Sequence, residues 1–217
     1  MTTWFTADLH FHHFNIINHC NRPGAFNGQG TRQEATATMN EILISKWNER
    51  IKKDDEVYFL GDLAFCDRDK AIAILEQLNG VKYWIRGNHD YDLAKKDGVS
   101  VFFEWVRDLY TLRVHDKDEN DTQYHQPIVL CHYPLLTWDG AAHGTWHLHG
   151  HCHGSLFQTQ GKRLDVGVDT HNLYPYSYQE VKDFMKTREF VKIDHHGHEV
   201  NQALSGPIGK EENAASS

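Results

Sequence analysis

Apolar positions gather into four short runs rich in β-branched and aromatic residues: Trp4-Phe5-Thr6-Ala7, Val57-Tyr58-Phe59-Leu60, Val81-Lys82-Tyr83-Trp84-Ile85 and Ile128-Val129-Leu130-Cys131. Each reads as a buried strand. Between the first two, Met39, Ile42, Leu43, Trp47 and Ile51 recur at helical spacing and predict a long amphipathic helix within 31–53. Between the next two, Ala71, Ile72, Leu75 and Leu78 repeat that spacing until Asn79-Gly80 stops it. Strand alternating with helix means an α/β fold. Beyond Gly98 the pattern turns more β-rich, with two strands predicted over 101–114, a polar excursion over 116–126, and strands at 146–149 and 163–168. A helix over 177–187 is announced by Ser177 with Glu180 three residues on, and a last strand by 190–193. Residues 1–200 read as a single domain; from 201 to 217 no apolar period remains, and a disordered tail is expected.

With 217 residues, 40% of them hydrophobic, the chain is long enough to bury one sizeable core. A formal net charge of -8 argues against a broad basic surface, so no extended nucleic-acid interface is expected. A local phosphate site remains compatible with that balance, because a bound cation can invert the local field. The 4 cysteines form no C-x-x-C pair, and no run of eighteen apolar residues or basic leader occurs. A reducing cytoplasm, with neither membrane insertion nor secretion, is the expectation. The unusual count is 17 histidines, bunched at 10–19, 143–153 and 195–198.

Each of the four strands runs directly into metal-binding residue types: Asp8-Leu9-His10, Gly61-Asp62, Gly87-Asn88-His89-Asp90 and His132. A fifth cluster, Gly150-His151-Cys152-His153, follows the strand at 146–149. Ligands of α/β sheets bind beyond the carboxyl ends of strands, so the five clusters should converge there. Carboxylates mixed with imidazoles suit manganese, iron or zinc. Seven candidate donors are too many for one ion, whereas two ions about 3.5–4 Å apart sharing a carboxylate would use them all. Gly61, Gly87 and Gly150 each precede a donor, where the backbone must turn or come close to an ion or phosphate.

These blocks, in this order, resemble the calcineurin-like metallophosphoesterase superfamily, whose signature is D-x-H, G-D, G-N-H-[DE], a lone H and G-H-x-H. They span residues 8 to 153, about two-thirds of the chain. The flanking His10-Phe11-His12-His13-Phe14 and Trp146-His147-Leu148-His149-Gly150-His151 are similar to small bacterial and phage members of that superfamily. The resemblance implies a four-layer αββα sandwich of two mixed β-sheets flanked by helices. It also implies two divalent metal ions, manganese favoured, with iron, zinc or nickel as alternatives. Asp8, His10 and His153 would bind the first ion, Asp62 would bridge, and Asn88, His132 and His151 would bind the second. His89 would stabilise the transition state or protonate the leaving oxygen, and Asp90 would orient its neighbours. The implied activity is hydrolysis of phosphate diesters, or monoesters, of small or nucleotide-type substrates by a hydroxide bridging the ions. The alternatives are a nuclease and a non-catalytic metal-binding scaffold; a metallo-β-lactamase type lacks its H-x-H-x-D-H block here. One departure stands out. The superfamily's protein-phosphatase branch continues the G-D block with an Asp, and the matching position here is Phe65, which argues against a phosphoprotein substrate.

Most other polar residues are expected to be structural. His12, His13 and His19 read as packing groups or as supports behind the ligands, and Asp194-His195-His196-Gly197-His198 as a solvated turn. His147 and His149 alternate on one strand face, and spacing alone does not separate them from His151 and His153 as ligands; the resemblance favours the later pair. His143 is balanced between overhanging the site and simple exposure, and Asp165 and Asp169 between the site and a half-buried strand. A thiolate from Cys131 or Cys152 is a minor alternative to imidazole.

Overall fold

The computed structural model describes residues 1–22, 30–156 and 161–189. Among these, nine strands form two mixed sheets. The first has the order β4-β3-β2-β1-β9, comprising β1 (Thr3–Thr6), β2 (Glu56–Phe59), β3 (Val81–Ile85), β4 (Phe103–Arg107) and β9 (Tyr176–Ser177). Its first four strands are parallel, and β9 closes the edge antiparallel to β1. The second sheet, β5-β6-β7-β8, contains β5 (Leu109–Lys117), β6 (Gln123–Cys131), β7 (Trp146–His149) and β8 (Arg163–Asp165), with β5–β6 antiparallel and the rest parallel. The chain is α/β, as its alternation of strand and helix predicts.

Period-two alternation divides the apolar side chains between two cores. Phe5, Tyr58, Leu60 and Ile85 point from the first sheet towards Ile128, Leu130, Trp146, Leu148 and Leu164 of the second. Val57, Phe59 and Trp84 point the other way, against Met39, Leu43 and Trp47 of α2 (Arg32–Arg50) and Ala71, Ile74 and Leu75 of α3 (Arg68–Leu75). Helix α2 begins at a capping box in which Thr31 and Glu34 satisfy each other's backbone N–H groups. Short helices α1 (Phe14–His19) and α4 (Tyr91–Ala94) follow the first and third ligand loops. The outer face of the second sheet is covered by segment 133–145, whose backbone contacts His147 and Arg163 and whose Trp138 ring packs on His147. Helix α5 (Tyr178–Lys186) starts at the capping box of Ser177 and Glu180, as expected, and adds Val181 and Met185 to the core between the sheets.

Two sequence expectations change. The polar excursion over 116–126 is mostly strand: β5 runs to Lys117 and β6 begins at Gln123. Its outward positions carry charge, which hides the pairing from an apolar-run reading. The strand expected over 163–168 ends at Asp165, after which Val168–Thr170 forms a 3₁₀ turn. The expected strand at 190–193, the turn at 194–198 and the tail at 201–217 lie outside the described residues. No helix among the described residues is long and apolar enough to cross a membrane.

Candidate metal centre

The five clusters meet at the carboxyl ends of β1, β2 and β3 in one sheet and of β6 and β7 in the other. Backbone bonds lock them together: Asp8 N–H donates to Gly61 O, His10 N–H to Asp62 O, and Gly150 N–H to His132 O. Two glycines let the loops come this close. Gly61 has φ +98, and a Cβ there would meet Gly87 N and the His132 ring; a Cβ on Gly87 would collide with the Asp62 carboxylate. Six residues of these loops hold left-handed backbone without being glycine: Asp8 (φ 58), His10 (50), His12 (62), Asp62 (61), His151 (70) and His153 (48). Each such residue costs on the order of 1 kcal/mol or more, and strain of this kind gathers where geometry serves function.

The donor atoms converge. One oxygen or ring nitrogen each from Asp8, His10 and His153 lie within 4.8 Å of one another, and so do those of Asp8, Asp62 and His132. Asp62 Oδ2 stands between the two sets, 3.5 Å from His10 Nε2 and 3.6 Å from His132 Nε2. Asn88 Oδ1 lies 3.0 Å from His132 Nε2 and 2.9 Å from His151 Nδ1. All seven expected donors are thus brought together, with Asp62 at the centre.

Neighbouring groups aim them. His132 Nδ1–H donates to Leu60 O at 2.7 Å, leaving Nε2 with its lone pair towards Asp62. His153 Nδ1–H donates to Asp169 Oδ2 at 2.7 Å and likewise frees its Nε2. Asp90 accepts from the backbone N–H of Asp62, Leu63 and Gly87 and from Trp84 Nε1, so it ties two of the converging loops to the sheet.

The cluster brings buried carboxylates against buried imidazoles. Asp8, Asp62 and Asp90 are at most 2% exposed. Burial first, then the charges of Asp165 and Asp62, pushes the Asp8 carboxyl well above its ordinary range. Burial also raises Asp90. His10 is 3% exposed, neither ring nitrogen has a hydrogen-bond partner, and burial together with the neighbouring His153 and Arg22 lowers its pKa far below the usual value. A buried neutral imidazole with orphaned nitrogens, facing buried carboxylates, fits a divalent ion in the arrangement expected from the sequence.

Sequence reasoning overlooked Arg22. It is 4% exposed, forms a two-pronged ion pair with Asp169 (2.8 and 3.0 Å) and donates to the carbonyls of Leu9 and Asp8. Asp169, left open above, belongs to the site as the partner of His153. Burial would raise its pKa, but the hydrogen bonds from His153 and Arg22 outweigh that and hold it low. Asp165 supports the same loop by accepting from the N–H groups of Gly154 and Gly167. No spacing rule marks a lone Arg; only the 165/169 pair of carboxylates offered a signal.

His147 and His149 separate cleanly from the later pair. His147 is fully buried against Val129 O and the backbone of residues 133–135, and His149 Nδ1 sits 2.9 Å from Gly150 O. His143 lines a cavity with His125, Gln126 and Trp146, near the amino ends of β6 and β7 and away from the donors. The cysteine that groups with His153 and Asp169 is Cys20, rather than Cys131 or Cys152; burial raises its pKa to about 12. His89 is exposed at the mouth, its N–H donating to Asp62 Oδ1 at 3.0 Å. Phe65 packs on it at 4.6 Å and stacks on His13 at 3.9 Å.

The chain is 30% identical over 197 residues to a protein of Methanocaldococcus jannaschii called "Uncharacterized protein MJ1445", covering 87% of this chain and 94% of that one. The chain belongs to the family of that archaeal protein. Gene 66 proteins of Mycobacterium phages D29 and L5 are each 27% identical to it, over 86% and 77% of this chain and 96% and 86% of theirs. No family model matches. A crystal structure of a protein of unknown function, AQ665 from Aquifex aeolicus, shares the fold with a TM-score of 0.56 at 21% identity, covering 84% of this chain and 98% of that one.

Proposed function

We propose that this protein is a dinuclear-metal phosphoesterase of the calcineurin-like type, acting on phosphate diesters of small or nucleotide-type substrates. The observation that carries the reading is Asp62 Oδ2 standing between His10 Nε2 and His132 Nε2 at 3.5 and 3.6 Å, with the other donors gathered around it. Asp8, His10, Asp62 and His153 would hold one divalent ion, and Asp62, Asn88, His132 and His151 the other. When bound, two such ions supply Lewis-acid polarisation of the phosphate oxygens and bring the pKa of a water down to about 7.

The chain's own residues do the rest. Asp90 and Arg22 fix the loops, while Leu60 O and Asp169 set the imidazole tautomers. His89, exposed beside Asn88, would give a proton to the leaving oxygen. Phe65 fills the space beside it where a carboxylate partner would otherwise sit. The test is release of p-nitrophenol from bis(p-nitrophenyl) phosphate and from p-nitrophenyl phosphate by chelator-stripped protein, with and without added Mn²⁺. Manganese-dependent turnover of the diester supports the reading. Silence on both esters, with metal bound, would favour a scaffold instead.

A further inference from the structure

Beside the metal centre lies an open groove of about 400 Å³ between the first half of α2 and the segment that leads into α3. That volume is ordinary for a small-molecule site. Its walls include Ala37, Cys66, His12 and Phe65, with Arg32 and Lys70 on the rim. His12 N–H donates to Asn40 Oδ1 at 3.0 Å, which ties the first ligand loop to the helix and fixes the groove's floor.

Phe65 is the wall that groove and metal centre share. Its ring stands 5.4 Å from that of the donor His10 and 4.6 Å from that of His89, with one face stacked on His13. It remains 37% exposed. The residues around it combine an apolar, polarisable surface with cations at the edge, in a chain whose formal charge is -8. Lys70 is engaged by Asp67 at 2.9 Å, and the Arg32 guanidinium lies 4.9 Å from the centre of the Phe14 ring. This is the chemistry of a platform for a flat ring carried by an anion.

We propose that the groove receives the aromatic base of a nucleoside phosphate, stacked at Phe65, while its phosphate sits at the donor cluster. The inference rests on the phosphoesterase reading and adds a recognition site to it. Stacking at Phe65 selects among esters, whereas the donors act on any of them.

The test is calorimetric titration of the manganese-loaded full-length protein with adenosine 5′-monophosphate and with ribose 5-phosphate, which carries the same phosphate and sugar without the base. The nucleotide is expected to bind roughly 10-fold more tightly, the scale of one base–aromatic stack. Phe65→Leu, which removes the ring, and Ala37→Leu, which narrows the groove from α2, should each bring the two ligands within about twofold of each other. A distant surface change, Val101→Ser, should leave the difference intact. Equal affinities in the wild type, or an advantage that survives both groove variants, would overturn the groove as a base site while leaving the phosphoesterase reading standing. No binding of either ligand to metal-loaded protein would overturn both.

Discussion

His147 and His151 stand four residues apart on one stretch of chain and have opposite physical situations. His147 lies in β7, in regular extended backbone, fully buried, with its ring held by Val129 O and the backbone of residues 133–135. His151 lies just past the strand in left-handed backbone (φ 70), exposed, with its Nδ1 beside Asn88. The contrast extends to every strand that enters the site. Within the sheets, apolar side chains are sealed in two cores; at their carboxyl ends, strained loops crowd carboxylates and imidazoles around one point. Stability therefore resides in the strands and helices, and the loops hold an arrangement that would not persist without them.

The largest effect that would sharpen this contrast is at Arg22, where the scaffold reaches into the loops. Arg22→Ala takes the guanidinium from Asp169, leaving only His153 beside that carboxylate, and frees two backbone carbonyls, so about 3–5 kcal/mol of stability should be lost in denaturant unfolding. A loss below about 1 kcal/mol would show that the loops stand without it.

Next comes His147, whose pKa burial lowers to about 4. The unfolded chain binds its proton near pH 6.5, so between 6.5 and 4 the unfolded state takes up more protons and stability falls with pH. The fall should be on the order of 3 kcal/mol, fully present by pH 4 and absent above 7. His147→Gln should flatten that limb of the pH–stability curve while metal content is unchanged.

Asp169→Asn should act the other way round. Arg22 loses its ion pair but keeps its bonds to the Leu9 and Asp8 carbonyls, while His153 loses its charged orienting partner, so metal affinity should drop by about 10–100-fold in a chelator competition assay. The smallest effect is expected at Thr31, the cap of α2. Thr31→Ala should cost about 1 kcal/mol and leave metal affinity alone; a coupled loss of metal would blur the division between scaffold and loops.

How much of this was legible in the sequence follows the same division. The strands of the first sheet and the helices packed on them could be read because each shows an apolar run or a helical period, as in Val57–Leu60 and Met39–Trp47. The donors were legible because each follows such a run directly. The far end of the β5–β6 hairpin was not, since it carries exposed His115, Lys117, Gln123 and His125 where an apolar run would be sought. Strand β9 is two residues long and owes its existence to pairing with β1. Arg22 could not be found at all, because its meaning comes from Asp169, 147 residues away.

The most direct test of the central claim is to count metal ions by calorimetric titration of chelator-stripped protein with Mn²⁺. Two ions per chain in the wild type, and a loss of tight binding at both positions in Asp62→Asn, is the predicted result, because Asp62 stands between the two donor sets. A single ion per chain, or two ions undisturbed by Asp62→Asn, would contradict a shared dinuclear centre.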